Sequence, residues 1–282
     1  MLPYGCTITT FSSTSLRGLM KSAFVFFLLV MSFLVLALQW NGTLNFSTIL
    51  NVAQGSQDVD GVVLSMKPER FNHTQHVLAE IGLRVVQRVP LSFQSKEVNE
   101  SLCSFVGSPR DNSMNLKVWS NQMAFVNAME EFVREANTAT PKRWRFFFED
   151  DVALNPNITS EQAKVLLAKG LEVADEDGFV YLGLCGPHCE ESRPLDEHVE
   201  AARCYGACAH AFGLQANAAA KFLQHLENTQ KEREIYMDQR LLNYGKKVKR
   251  VWVLGTNLQS PSDHAHVGLL YQDRIRFPTT IG

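Results

Sequence analysis

The stretch that decides the fold of this chain is Arg145-Phe146-Phe147-Phe148-Glu149-Asp150-Asp151-Val152. A continuous apolar run is typical of a strand that is buried on both faces of a parallel sheet. In open α/β sheets, ligands bind beyond the carboxyl ends of the strands, and the three carboxylates stand at that end. The stretch therefore predicts a central strand that ends at a binding site.

The three adjacent carboxylates Glu149, Asp150 and Asp151 need positive charge nearby, because neighbouring like charges disfavour one another's ionisation. Carboxylate oxygens suit Mn²⁺ or Mg²⁺, and Mg²⁺ is typically held by one or two carboxylates plus substrate phosphates. Along a strand, Glu149 and Asp151 point to one side and Asp150 to the other. We expect Asp151 to bind the metal directly and Glu149 to be the second candidate ligand. Glu149 and Asp150 would hold the ribose or reach the metal through water. The alternative is a solvated acidic turn.

The 282 residues suit one α/β domain of about 200 to 250 residues with additional segments. A net charge of −2 argues against a nucleic-acid partner recruited by bulk charge. Residues 60–65, 70–81 and 83–89 predict a β-α-β opening, and residues 91–113 are expected to be loop. Further strands are predicted at 179–183, 207–214 and 248–254, and helices at 116–136, 159–174, 217–226 and 235–244.

The amino-terminal part carries an apolar run at residues 23–38, preceded by Arg17 and Lys21. A membrane span needs about 20 apolar residues, and basic residues on the amino side place that side in the cytosol. We expect a cytosolic tail at 1–22, a signal anchor at 23–40, a short luminal stem at 41–58 and a luminal domain at 59–282. The alternative is a cleaved signal peptide. Five N-glycosylation sequons follow the run, at Asn41, Asn45, Asn72, Asn99 and Asn157. A single-pass type II protein of the Golgi or endoplasmic reticulum is therefore predicted.

Four cysteines form two C-x₃-C pairs, Cys185 with Cys189 and Cys204 with Cys208. In an oxidising lumen we expect these to form two disulfides, with three pairings open. A zinc site is the alternative. The second acidic run, at residues 175–177, lacks a preceding apolar strand and is predicted to be a solvated helix end.

The globular part resembles glycosyltransferase family 25, which contains bacterial lipooligosaccharide galactosyltransferases and collagen galactosyltransferases. The similar stretches, in order, are residues 61–70, 144–152, 205–222 and 236–238, and Glu149-Asp150-Asp151 is the sharpest match. The family often has a Ser-His pair before the acidic strand, where this chain has Ser120-Asn121.

The resemblance implies a GT-A fold, a single α/β domain over a mixed sheet, with a UDP-sugar donor and usually Mn²⁺. It also implies that Asp238 is the base that deprotonates the acceptor hydroxyl, a step that an inverting transfer needs. The alternative for Asp238 is an ordinary acidic residue at a helix start. His264 or His266 is a further candidate metal ligand, since imidazole accepts divalent metals, although an ordinary solvated surface histidine is the favoured interpretation of each.

These observations predict a metal-dependent glycosyltransferase of the secretory pathway. It would transfer a sugar, with galactose as the family's example, from a UDP-sugar to a hydroxyl of a glycan or glycoprotein. Two alternatives stay open. One is another metal-dependent luminal hydrolase, and the other is an inactive membrane-anchored glycoprotein that keeps the fold as a binding module.

Overall fold

The computed structural model describes residues 60–107, 113–136, 144–197, 199–256, 258 and 268–278. The predicted cytosolic tail, anchor and stem lie outside these residues, and so do His264 and His266. Within the described ranges, no helix is both long enough and apolar enough to cross a bilayer.

Two sheets form the framework of the described part. The six strands of the main sheet are β1 (Gly61–Leu64), β2 (Val85–Arg88), β3 (Trp144–Glu149), β5 (Phe179–Pro194), β6 (Glu200–Gln215) and β7 (Trp252–Gly255), in the spatial order β2-β1-β3-β6-β5-β7. Strand β1 is parallel to β2 and β3, whereas β6 is antiparallel to β3, β5 and β7. A small antiparallel pair joins β4 (Val152–Leu154) to β8 (Leu270–Gln272). The predicted α/β class with a mixed sheet is confirmed.

The helices are α1 (Pro68–Glu80), α2 (Lys96–Val106), α3 (Ser113–Ala136), α4 (Ser160–Ala174), α5 (Ala216–Asn228) and α6 (Met237–Val248), with a 3₁₀ turn at Gln230–Glu232. The prediction of loop over residues 91–113 is wrong, because α2 lies there. The Ser95 side chain caps α2, left-handed Gly107 ends it, and its apolar face is buried. Helix α6 also continues through Gly245 and ends at Val248, one turn later than predicted.

Strand β3 lies between two halves of the core. Phe147 packs on one face of the sheet with residues of α3, α5 and α6. Phe146 and Phe148 pack on the other face with residues of α1 and α4. Both faces of the sheet are covered at these phenylalanines. The next polar side chains along the chain are therefore the carboxylates at the end of the strand.

The buried face of α3 matches only in part the apolar stripe that the sequence predicts for this helix, which is Trp119, Met123, Val126, Met129 and Val133. Phe125, Met129 and Phe132 are buried, whereas Val126 and Val133 are only partly buried. Trp119 is buried as well, whereas Met123 is only partly buried, so the apolar periodicity located the helix correctly and two of its five predicted core positions are confirmed.

The β5–β6 hairpin is longer than predicted and is joined by two nested disulfides. Cys185 pairs with Cys208, and Cys189 pairs with Cys204, its cross-strand neighbour. The disulfide prediction is confirmed, the pairing is resolved, and the four sulfur atoms are not available together as zinc ligands.

We expect loss of the inner disulfide to destabilise the protein measurably. Cys189→Ser with Cys204→Ser opens a loop with a sequence separation of 15. The free energy of unfolding should fall by about 3 kcal/mol, since the cross-link no longer restricts the unfolded chain. Urea unfolding of the purified protein measures this, with a thiol count to verify that Cys185–Cys208 is intact. An unchanged urea midpoint would contradict the expectation.

The second acidic run is not a wholly solvated helix end. The Asp177 side chain is only 1% exposed and accepts hydrogen bonds from Trp252 Nε1 at 2.8 Å and Arg203 Nη2 at 3.1 Å. The prediction is wrong for this residue, which ties the segment after α4 to β6 and β7. Asp175 accepts a hydrogen bond from Gln215 at 2.7 Å.

Candidate active site

The acidic cluster, Glu149, Asp150 and Asp151, occupies the point where the chain leaves the main sheet. Strand β3 ends at Glu149, and a turn at Asp150 and Asp151 leads into β4. The backbone amide of Asp273 donates a hydrogen bond to the Asp151 carbonyl at 2.7 Å. The carboxyl-terminal segment, residues 268–278, therefore passes directly beside the acidic cluster.

Asp150 is held by residues that follow β1. Ser65 Oγ donates to Asp150 Oδ2 at 2.6 Å, and Arg70 Nη2 lies 2.7 Å from Asp150 Oδ1. Ser65 directly follows β1, and Arg70 lies in the first turn of α1, which begins at Pro68. Both carboxylate oxygens of Asp150 therefore have partners within the protein.

Glu149 is oriented by two side-chain amides. Asn121 Nδ2 donates to Oε1 at 3.3 Å, and Gln272 Nε2 donates to Oε2 at 2.7 Å. Burial, followed by the charges of Asp151 and Asp238, raises the pKa of Glu149 to about 8. Additional positive charge at this position would favour the ionised carboxylate.

Asp151 differs from its two neighbours because one of its oxygens has no partner. Oδ2 lies 3.7 Å from Arg70 Nη2, whereas Oδ1 is buried without a hydrogen bond. Burial raises the pKa of Asp151, and the charge of Arg70 opposes that rise. A buried acceptor without a partner costs free energy, so this oxygen is suited to receive a cation.

The cluster does not form a ready-made three-carboxylate cage. In the part of the chain that the structure describes, the group of three Cys, His, Asp or Glu ligand atoms within 4.8 Å of one another is Cys185, Cys208 and His210. Two of these are the sulfurs of a disulfide. A divalent cation at a nucleotide site needs only one or two carboxylates, because substrate phosphates complete the shell. The residues present fit such a cation, and Asp151 would be the carboxylate to hold it, because its Oδ1 has no partner.

The predicted base Asp238 lies close enough to the acidic cluster for its charge to act on Glu149. It stands in the first turn of α6 and accepts a hydrogen bond from the backbone of Ala209 in β6. Burial raises the pKa of Asp238. Its charge raises the pKa of Glu149 and also that of Tyr181, so these groups are close enough to interact electrostatically. The buried Tyr181 hydroxyl has no hydrogen-bond partner.

Sequence reasoning assigned no individual role to five side chains at this site. These are Ser65, Arg70, Asn121, Gln272 and Arg274. Ser65 and Arg70 follow the carboxyl end of β1, and in open α/β sheets ligands bind beyond the carboxyl ends of the strands. No sequence pattern marks Gln272 or Arg274 as a site residue, because the carboxyl-terminal segment reaches the site only through the pairing of β8 with β4.

Comparisons with known proteins add little to this description. No family model matches the chain, and no curated protein matches it. One solved structure that matches is that of a glycosyltransferase involved in the glycosylation of the major capsid of PBCV-1, with 10% identity and a TM-score of 0.29. The match covers 60% of this chain and 66% of that chain, just under two thirds of its length. Similarity at this level does not establish a shared activity, so the chemistry rests on the residues of the site.

Proposed function

We propose that this protein is a metal-dependent glycosyltransferase built on a GT-A-like domain. The observation that carries the proposal is the buried Asp151 Oδ1, which has no hydrogen-bond partner and lies in a carboxylate cluster at the carboxyl end of the central strand. That position is where α/β sheets bind ligands, and that oxygen suits a hard divalent cation such as Mn²⁺ or Mg²⁺. The donor would be a nucleotide-sugar, UDP-sugar by preference, whose diphosphate completes the shell of the cation.

Each acidic residue then has a separate task. A bound cation would neutralise the charge that develops on the leaving diphosphate. Asp151 would hold that cation, and Glu149, oriented by Asn121 and Gln272, would face the metal or the ribose. Asp238 would take the proton of the acceptor hydroxyl, and its burial raises its pKa in the direction that strengthens a base.

The narrower parts of the proposal come from the resemblance to family 25. They are that the chain is a relative of that family, that galactose is the first sugar to test, and that the acceptor is a glycan or glycoprotein hydroxyl. Membership of this family would also account for an aspartate at position 238, within electrostatic reach of Glu149, since the family has a later Asp at the corresponding position.

A donor screen tests the proposal. The purified full-length protein is incubated with a panel of UDP-sugars, UDP-galactose included, with Mn²⁺ and candidate acceptors, and release of UDP is measured. We expect release that requires both an acceptor and Mn²⁺ and that stops when a chelator is added. Equal UDP binding in excess chelator would contradict a metal-diphosphate site. Binding without any turnover would favour the inactive binding module, and release of inorganic phosphate would favour a hydrolase.

We further propose that the domain faces the lumen of the Golgi or endoplasmic reticulum behind an anchor at residues 23–40. The support is the apolar run with Arg17 and Lys21 before it, together with the sequons, of which Asn72 and Asn157 are exposed. In cells the protein is expected to resist carbonate extraction and to lose mass on treatment with an N-glycosidase. Secretion of a shortened chain that begins near Gln39 would show instead that the run is a cleaved signal peptide.

A further inference from the structure

The acidic cluster already contains a positive charge that belongs to the protein. Arg70 Nη2 lies 2.7 Å from Asp150 Oδ1 and 3.7 Å from Asp151 Oδ2, so one guanidinium nitrogen contacts two carboxylates. The Arg70 side chain is 9% exposed, and its Nε is buried without a hydrogen-bond partner. The arginine therefore meets the cluster in a partly dehydrated environment, where charge interactions are stronger than in water.

Arg70 is also held in place from the other side. The Phe277 ring centre lies 5.3 Å from the guanidinium carbon, within the range of a cation–π contact, and the ring of His73 lies 5.0 Å from the Phe277 ring. These contacts enclose the arginine between helix α1 and the carboxyl-terminal segment. Its charge is therefore a fixed part of the site.

The two ion pairs of Arg70 are unequal. Asp150 has a short contact to Arg70 and a second partner in Ser65. Asp151 has only the longer contact, and its Oδ1 has no partner. A cation that approaches the cluster would therefore find Asp150 occupied and Asp151 available, while the charge of Arg70 would repel it.

We propose that Arg70 is the resident counter-ion of the acidic cluster, pairing with Asp150 and competing electrostatically with the divalent cation for Asp151. This inference rests on the proposed metal site and adds a regulatory property to it. The metal-free protein tolerates three adjacent carboxylates because Arg70 neutralises part of their charge. The same contact sets an upper limit on affinity for the free metal, so that tight binding requires the additional negative charge of a diphosphate.

The competition gives Arg70→Gln an effect that ordinary damage to a site would not give. Arg70 Nη2 lies 3.7 Å from the metal ligand Asp151, so loss of its charge should strengthen binding of Mn²⁺ alone by roughly 10- to 1,000-fold, the range between the dielectric of water and that of a protein site. Arg70→Lys keeps the charge and should bind Mn²⁺ with nearly the wild-type affinity. Arg145→Gln is the matched control, because Arg145 is 8% exposed and pairs with Glu135 near the start of β3. It should leave Mn²⁺ affinity unchanged.

The experiment measures the dissociation constant of Mn²⁺ alone for the full-length protein, from the electron paramagnetic resonance signal of free Mn²⁺. The melting temperature with and without Mn²⁺ is the second readout. Arg70→Gln should melt below wild type without metal, because its carboxylates have lost their counter-ion. Saturating Mn²⁺ should raise its melting temperature more than it raises that of wild type.

The outcomes separate this inference from the proposed function. Wild-type binding of Mn²⁺ with equal or weaker binding by Arg70→Gln overturns the counter-ion role and leaves the metal site standing. The counter-ion role is equally overturned if Arg70→Gln stays unfolded in saturating Mn²⁺. A wild-type protein that binds no Mn²⁺, with or without UDP, overturns both.

Discussion

Asp151→Asn is expected to lower sugar transfer by on the order of 10²-fold or more, the size of effect seen when an electrostatic stabiliser of a transition state is lost. The substitution removes the charge of Asp151, the carboxylate in the cluster whose buried Oδ1 has no hydrogen-bond partner. The leaving diphosphate would then lose the cation that balances its charge. UDP binding should also lose its dependence on Mn²⁺, as a titration with and without chelator would show.

The fold should survive Asp151→Asn. Asparagine has nearly the shape of aspartate, and the Asp151 backbone carbonyl would still accept its hydrogen bond from the Asp273 amide. Removing one of three neighbouring negative charges also relieves repulsion in the metal-free protein. The melting temperature without metal is therefore expected to stay the same or to rise.

Asp175→Asn is the matched control for this substitution. Asp175 belongs to the other acidic run, and an asparagine there keeps an oxygen that can accept the hydrogen bond from Gln215. Transfer and metal dependence should be unchanged. Full transfer activity in Asp151→Asn would mean that the acidic cluster is a turn, and the glycosyltransferase proposal would lose its main chemical support.

The centre of the fold could be predicted because it depends on local pattern. Three consecutive phenylalanines are typical of a strand with both faces covered, and the carboxylates mark the end of that strand. The predicted helix at 159–174 likewise begins where the sequence places it, because Thr159 and Gln162 form a capping box at the start of α4. Asp238 was named from a resemblance, and the structure places it within electrostatic reach of Glu149.

The remainder of the site depends on contacts between distant parts of the chain. Gln272 meets Glu149 across a sequence separation of 123, and Ser65 meets Asp150 across 85. No local periodicity records such contacts. The predicted alternation of the three carboxylates holds only in part. The charge of Asp151 acts on Glu149 more strongly than that of Asp150, but the turn after β3 also brings both Asp150 and Asp151 to Arg70.

Helix α2 shows a different kind of miss, because its signals were present in the sequence. Val98, Leu102 and Val106 recur at intervals of four, Ser95 precedes them and Gly107 follows. The polar residues between them made this helical spacing hard to recognise in the sequence. Capping residues at both ends were the stronger signal here, since they mark where backbone groups need partners whatever the composition between them.

Asp238→Asn is expected to lower kcat by roughly 10²- to 10⁴-fold, the contribution of a positioned general base, with little change in KM or in Mn²⁺ affinity. An asparagine can still accept the hydrogen bond from the Ala209 backbone, so the start of α6 should keep its place. A general base acts in its deprotonated form, and burial raises the pKa of Asp238. Wild-type activity should therefore fall as the pH decreases, and the fall should begin at a pH above the usual titration range of aspartate. The residual activity of the variant should lose the part of that acid limb that Asp238 contributes, while any part due to Glu149 and Asp151 should remain.

Glu234→Gln is the control, since it lies four residues earlier and its oxygen can still accept the hydrogen bond from the Tyr236 amide. It should leave both kcat and the pH profile unchanged. An acidic residue in the first turn of a helix is worth only about 0.3–1 kcal/mol of stability through the helix dipole. If Asp238→Asn costs no more than that stability and keeps its kcat, Asp238 is a helix-start residue, and the base must be sought among the other groups that face the acidic cluster.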